Sequence, residues 1–193
     1  MQDILKHLQV HIPFDQLLQK HLDKVLRERI NPEIAFNCAI LERFTDGEYA
    51  GLARQLCGPD RSVTFHGPFM DLRPGAVDPA IRRVTLERFL RVFEVAVHFR
   101  PRTIVFHPSY DERYYVSSGR QWLENSIETW SGLLPLAERL ETQIALENVY
   151  EQDPGRIGAL LDALPPDRVG FCFDTGHFNA FAGAPLEAWM ERL

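Results

Sequence analysis

A chain of 193 residues with 45% hydrophobic residues and a formal net charge of -6 has the apolar material for one buried core. It carries no global basic field of the kind that draws in nucleic acid. The three cysteines, Cys38, Cys57 and Cys172, form no CxxC pair and leave one over in any disulfide scheme, which points to a reducing compartment and away from cysteine-held zinc. The N-terminal MQDILKHLQVHIPFDQ has no basic segment followed by a long apolar run, and no stretch approaches the roughly 18 apolar residues of a membrane span. A soluble cytoplasmic protein with no membrane partner is the simplest reading.

Short β-like runs alternate with longer helical patterns. The expected strands, in chain order, are residues 7–12 (HLQVHI), 33–38 (EIAFNC), 62–66 (SVTFH), 103–107 (TIVFH), 143–148 (QIALEN) and 169–174 (VGFCFD). Asp78-Pro79 reads as an N-cap and first helical residue, followed by Leu86, Phe89, Leu90, Phe93 and Val97 at helical spacing. Between residues 120 and 140, Leu123, Ile127, Trp130, Leu134 and Ala137 step by four and three, with Pro135 predicting a kink or break near Ser131-Gly132. Asp153-Pro154 repeats the start signal before Ile157, Leu160, Leu161 and Leu164, and Pro165-Pro166 stops that helix. Strand-helix units without linkers or low-complexity segments predict one α/β domain over residues 1–193 with a parallel sheet.

Four of the apolar runs end on a side chain that binds metals: His66, His107, Glu147 and Asp174, with His177 close behind. Alternate strand residues point to opposite faces. If these four face inward, so do Ser62, Thr64, Thr103, Val105, Gln143, Ala145, Gly170 and Cys172. The outward set is then Val63, Phe65, Ile104, Phe106, Ile144, Leu146, Phe171 and Phe173, all large and apolar, as a layer covered by helices requires. Chemistry at the C-terminal ends of parallel strands is where α/β folds and barrels place it.

The motifs FHGPF, VFHPS, ALENV and FCFDTGH, in that order, resemble those of the xylose isomerase-like TIM-barrel superfamily, which includes sugar isomerases and epimerases and the endonuclease IV apurinic-site nucleases. The resemblance implies a TIM-type (β/α) barrel in which Glu147 is the central metal-binding or metal-bridging carboxylate and Asp174 its companion. It implies that His66 and His107 match the nuclease-type histidine ligands, and that His177 is either a further metal ligand or a substrate-hydroxyl contact. The implied cofactor is a divalent metal, Zn, Mn or Mg. Six strand-helix units, against eight in a complete barrel, lead to the expectation of a C-terminally truncated domain. Such a domain has two exposed sheet edges, is expected to be inactive alone or to need a partner edge, and leaves homo-oligomerisation through those edges open.

The expected function is a metal-dependent sugar or sugar-phosphate isomerase or epimerase acting on a small carbohydrate, with Glu147 and His177 as catalytic residues. The alternatives are an endonuclease IV-like phosphodiesterase with a multi-zinc site, the only reading with a nucleic-acid partner, and a non-catalytic metal-binding barrel. His177 has a plainer reading as well, bonding a loop carbonyl or capping the next helix. Substrate-binding candidates are His11, at a strand end, Arg73, in the loop MDLRPGA, and Tyr110, which opens the tyrosine-rich loop YDERYYVSSGR. Arg73 is open to pairing with Asp71 instead, and the tyrosine loop to being ordinary surface packing.

Overall fold

The computed structural model describes residues 7–58 and 61–193. Six strands, β1 (Val10–Pro13), β2 (Pro32–Ala35), β3 (Thr64–His66), β4 (Thr103–Phe106), β5 (Gln143–Glu147) and β6 (Val169–Cys172), pair in sequence order, every pair parallel. Among the described residues β1 and β6 each pair on one side only, so the sheet is an open arc rather than a closed barrel. Helices follow the strands. The first, α1, runs through Phe14–Gln16, a π-helical turn Leu17–His21 and Leu22–Glu28. Next come α2 (Cys38–Arg43), α3 (Asp46–Leu56), α4 (Pro79–Phe99), α5 (Gly119–Leu140), α6 (Gly155–Asp162), α7 (Thr175–Phe181) and α8 (Leu186–Arg192). No helix among the described residues is long and apolar enough to cross a membrane.

Strand parity survives intact. Phe65, Ile104, Phe106, Ile144 and Leu146 are fully buried on the helix-covered face, and each such side chain contributes about 1.5–3 kcal/mol by leaving water. Phe106 packs on Phe89 and Trp130, with ring centroids 4.6 and 5.6 Å away. On β6 and just after it, Phe171 and Phe173 gather around the buried Trp189 of α8. The strands are shorter than expected, so His107 lies one residue and Asp174 two residues beyond the ladder. Chain leaving the ladder is free to turn its side chain across the barrel mouth, which is what ligands converging from neighbouring strands require.

Three helical expectations change in detail. Asp78 caps α4 as predicted, its Oδ1 accepting the Ala80 N–H at 2.7 Å. Val97, however, is 50% exposed, because the buried stripe of α4 runs through Phe89, Val92, Phe93, Ala96 and Phe99 and leaves Val97 at its margin. In α5 there is no break: the helix passes Pro135 continuously. Both Pro135 and Ser131, whose carbonyl loses its partner, are solvent-exposed, so water replaces the missing bond while Trp122, Trp130 and Leu133 hold the opposite face in the core. Helix α6 starts one residue later than predicted, with Asp153 Oδ1 accepting the Gly155 N–H at 2.7 Å.

Candidate metal centre

The strand ends bring the predicted ligands together around Glu147. His66 Nε2 lies 3.5 Å from Glu147 Oε2, His107 Nε2 lies 3.5 Å from Oε1, and His177 Nδ1 lies 3.1 Å from Oε1. Two ligand triads form within 4.8 Å, His66–His107–Glu147 and Glu147–Asp174–His177, with Glu147 common to both. Local sequence sets each position. After His66 the chain must pass flush against Phe106: a Cβ on Gly67 would sit 2.2 Å from that ring, which explains the glycine of FHGPF. After β6, Asp174 becomes the N-cap of α7, its Oδ1 accepting the His177 N–H at 2.6 Å, so the first turn of α7 delivers the imidazole.

Orientation of the rings follows from their second nitrogens. His66 Nδ1 donates to the Gly67 carbonyl at 2.9 Å, which in the neutral ring leaves the Nε2 lone pair facing Glu147. His177 Nδ1 lies 3.0 Å from the Asn148 carbonyl as well as near Glu147, so the plainer expectation of a loop-carbonyl bond holds alongside its place in the cluster. His107 Nε2 is buried without a hydrogen-bond partner. A lone pair facing a carboxylate, as at His66 Nε2, is repulsive unless a proton or a metal cation is shared between them, and the buried His107 Nε2 beside it also lacks a hydrogen-bond partner. The donor set of imidazoles and carboxylates therefore fits a divalent cation.

Burial opposes the charged form of Glu147, yet His107 and His66 outweigh it and hold the carboxyl far below its ordinary range. Burial likewise opposes protonation of His66, but the Glu147 carboxylate prevails and raises its pKa. At His107 burial prevails and the pKa falls, with the neighbouring His66 and His177 adding to the effect. The cluster thus holds the Glu147 carboxylate ionised under imidazoles of unequal basicity, so its protons titrate as a coupled set.

The remaining candidates sit elsewhere around the mouth. His11 borders the cluster, edge-on to His66 at 5.3 Å, and its Nδ1 is 3.0 Å from Glu33 Oε1. Tyr110 is buried, stacked on Tyr115 and packed on Trp122, and lines a cavity with Gln152 and Arg156 rather than the ligand cluster. Arg73 forms no ion pair with Asp71 among the described residues; its guanidinium lies over the Tyr114 ring, in a cavity whose walls include none of the five ligands.

Sequence reasoning missed three residues. Asn148 clips two strands together, its Oδ1 accepting the Asp174 N–H at 2.8 Å and its Nδ2 donating to the Asp174 carbonyl at 3.0 Å. Its position directly after Glu147 was the available signal. Phe69 stacks on His107 with ring centroids 4.5 Å apart and meets His66 edge-on, walling the cluster; it is the last residue of FHGPF. Glu33 would have emerged had parity been extended to β2, since it pairs in register with His11.

A sequence profile described as "Xylose isomerase-like TIM barrel" matches residues 33–193. An uncharacterised protein of Methanocaldococcus jannaschii, MJ1311, is 28% identical over 137 residues, covering 68% of this chain and 46% of that protein. The chain therefore spans less than half the length of that relative. Among solved structures, the TTHB071 protein from Thermus thermophilus, obtained with ZnCl2 soaking, superposes with a TM-score of 0.79 at 24% identity, over 95% of this chain and 72% of the other. A D-tagatose 3-epimerase-like protein superposes with a TM-score of 0.72 at 21% identity, over 96% and 71%. At these identities the structural likenesses establish the fold.

Proposed function

The chain belongs to the xylose isomerase-like TIM barrel family, and from that premise we propose that it is a metal-dependent isomerase or epimerase of a sugar or sugar phosphate. The observation that carries the proposal is the convergence of His66, His107 and His177 on the single carboxylate of Glu147 at the C-terminal ends of parallel strands. The fold likeness to a D-tagatose 3-epimerase-like protein and to a D-psicose 3-epimerase solved with D-fructose supports a small carbohydrate as the substrate class.

In this reading His66, His107, Glu147 and Asp174 hold a divalent cation, Zn, Mn or Mg. When bound, the ion would polarise a carbonyl and its adjacent hydroxyl, lowering the cost of moving the proton on the hydroxyl-bearing carbon to the Glu147 carboxylate. Glu147 stays ionised because the imidazoles hold it so, which suits it to holding charge at the centre. His177 keeps one edge toward the opening, being 31% exposed, and bonds a substrate hydroxyl. His11, steadied by Glu33, contacts the same substrate from the β1 side. Phe69 shields one flank of the imidazoles from water.

A nuclease of the endonuclease IV kind is the second reading, favoured by three imidazoles on one carboxylate, a donor set suited to zinc. The test is a turnover panel on the metal-loaded protein, both as this chain and extended to the eight strand-helix units of a complete barrel, the extended form being the one expected to turn over. Interconversion of free or phosphorylated ketoses with their epimers or aldoses, abolished by chelation and restored by metal, is the expected outcome. Cleavage of an abasic duplex with no sugar conversion would overturn it.

A further inference from the structure

Outside the metal cluster, the β3–α4 and β4–α5 loops enclose an open cavity of about 610 Å³ whose walls carry Arg73, Tyr114 and Tyr115. The Arg73 guanidinium lies over the Tyr114 ring, its central carbon 4.2 Å from the centroid, and among the described residues no carboxylate pairs with it. The acid that feels its charge, Asp111, is already held through both oxygens by Arg113 at 3.0 Å. The acid on the cavity wall itself, Asp78, is engaged in capping α4. The backbone under Arg73 is pinned, its N–H donating to Thr85 Oγ1 at 2.9 Å.

Tyr115 is 2% exposed, and its hydroxyl has no hydrogen-bond partner. Burial raises its pKa and Arg73 opposes the rise, which places the cation beside the phenol. A cation over the Tyr114 ring and beside the buried Tyr115 hydroxyl, with Val77 and Ile81 on the same wall, combines charge, a hydrogen-bond donor and apolar surface. A planar carboxylate spends both oxygens on the guanidinium fork, whereas a tetrahedral phosphate has a further oxygen for the hydroxyl.

We propose that this cavity is a phosphate site separate from the metal centre, taking an organic phosphate monoester with its head group between Arg73 and Tyr115 and its organic part against Val77 and Ile81. The site stands on its own residues and does not depend on the sugar reading.

Calorimetric titration of the chelator-treated protein tests it, using phenyl phosphate, inorganic phosphate and phenol. Saturable binding of phenyl phosphate, weaker binding of inorganic phosphate and none of phenol are expected. Arg73→Ala should weaken phenyl phosphate by at least about 10-fold, Arg73→Lys by less, and Tyr115→Phe by a few-fold. Loading with metal separates the sources of the phosphate. If metal tightens a sugar phosphate but not phenyl phosphate, the site holds the far end of a molecule that reaches the metal; if it changes neither, the site holds an independent ligand. Equal affinity of wild type and Arg73→Ala, or phenol binding as tightly as phenyl phosphate, would overturn the proposal.

Discussion

The two halves of the imidazole cluster share Glu147 but differ in their support. His66 and His107 rise from β3 and β4, each paired on both sides, and their side chains are 8% and 9% exposed. His177 and Asp174 follow the edge strand β6, and theirs are 31% and 39% exposed. The first pair is oriented by packing against a finished sheet. The second depends on a helix cap and on Asn148, which ties β6 back to β5. Metal affinity should therefore be carried unequally, with the interior half setting the site and the edge half completing it.

The largest effect that can break this comparison comes from the shared carboxylate. Glu147→Gln should lower the affinity for Zn²⁺ or Mn²⁺ by more than about 100-fold, since both triads lose their only common ligand. His107→Ala should follow at tens-fold or more, and His177→Ala should be the mildest, on the order of 10-fold, comparable to loss of an outer-shell partner. Competition against a chromogenic chelator measures all three. A His177 variant weaker than the His107 variant would invert the ranking and show that the edge half dominates.

A smaller effect sharpens the comparison at the loop that joins the halves. Glu151 lies in this loop, fully buried, with Oε2 accepting the Val149 N–H at 2.7 Å and Oε1 unpartnered. Burial pushes its pKa up to about 7, against which the backbone N–H groups pull only partly. A carboxyl raised in this way favours the fold while protonated, and the benefit, on the order of 3 kcal/mol for a shift of that size, is lost as pH rises from about 4.5 through about 7. Glu151→Gln keeps an oxygen for Val149 and never ionises. It should melt higher than wild type at pH 8, with the difference vanishing near pH 4.5. A pH-independent difference would rule out this role for Glu151.

Much of the site was legible because period-two alternation is a strong signal when one face is covered by helices. Phe65, Ile104, Phe106, Ile144 and Leu146 fixed the phase of β3, β4 and β5, and the phase fixed which ends point inward. Ladder lengths were less legible, since a strand's last paired residue depends on its neighbour: β3 keeps only Thr64–His66 although Ser62 and Val63 continue the pattern. The continuous α5 was hidden for a similar reason, because whether a proline breaks a helix depends on which face of the helix is wet. Arg73 and Tyr110 could be assigned to the mouth from their loops, but not to cavities apart from the cluster. For Tyr110 the reason is its packing on Tyr115 and Trp122, a tertiary contact that its place in the loop does not reveal.

The claim that these strand ends form one metal centre is tested most directly by anomalous diffraction from crystals soaked in Zn²⁺ or Mn²⁺. The account predicts a strong peak within about 2.0–2.3 Å of His107 Nε2 and a Glu147 carboxylate oxygen, with His66 and Asp174 completing the shell. A peak elsewhere on the protein, or none at saturating metal while His107 Nε2 stays unpartnered, would contradict it.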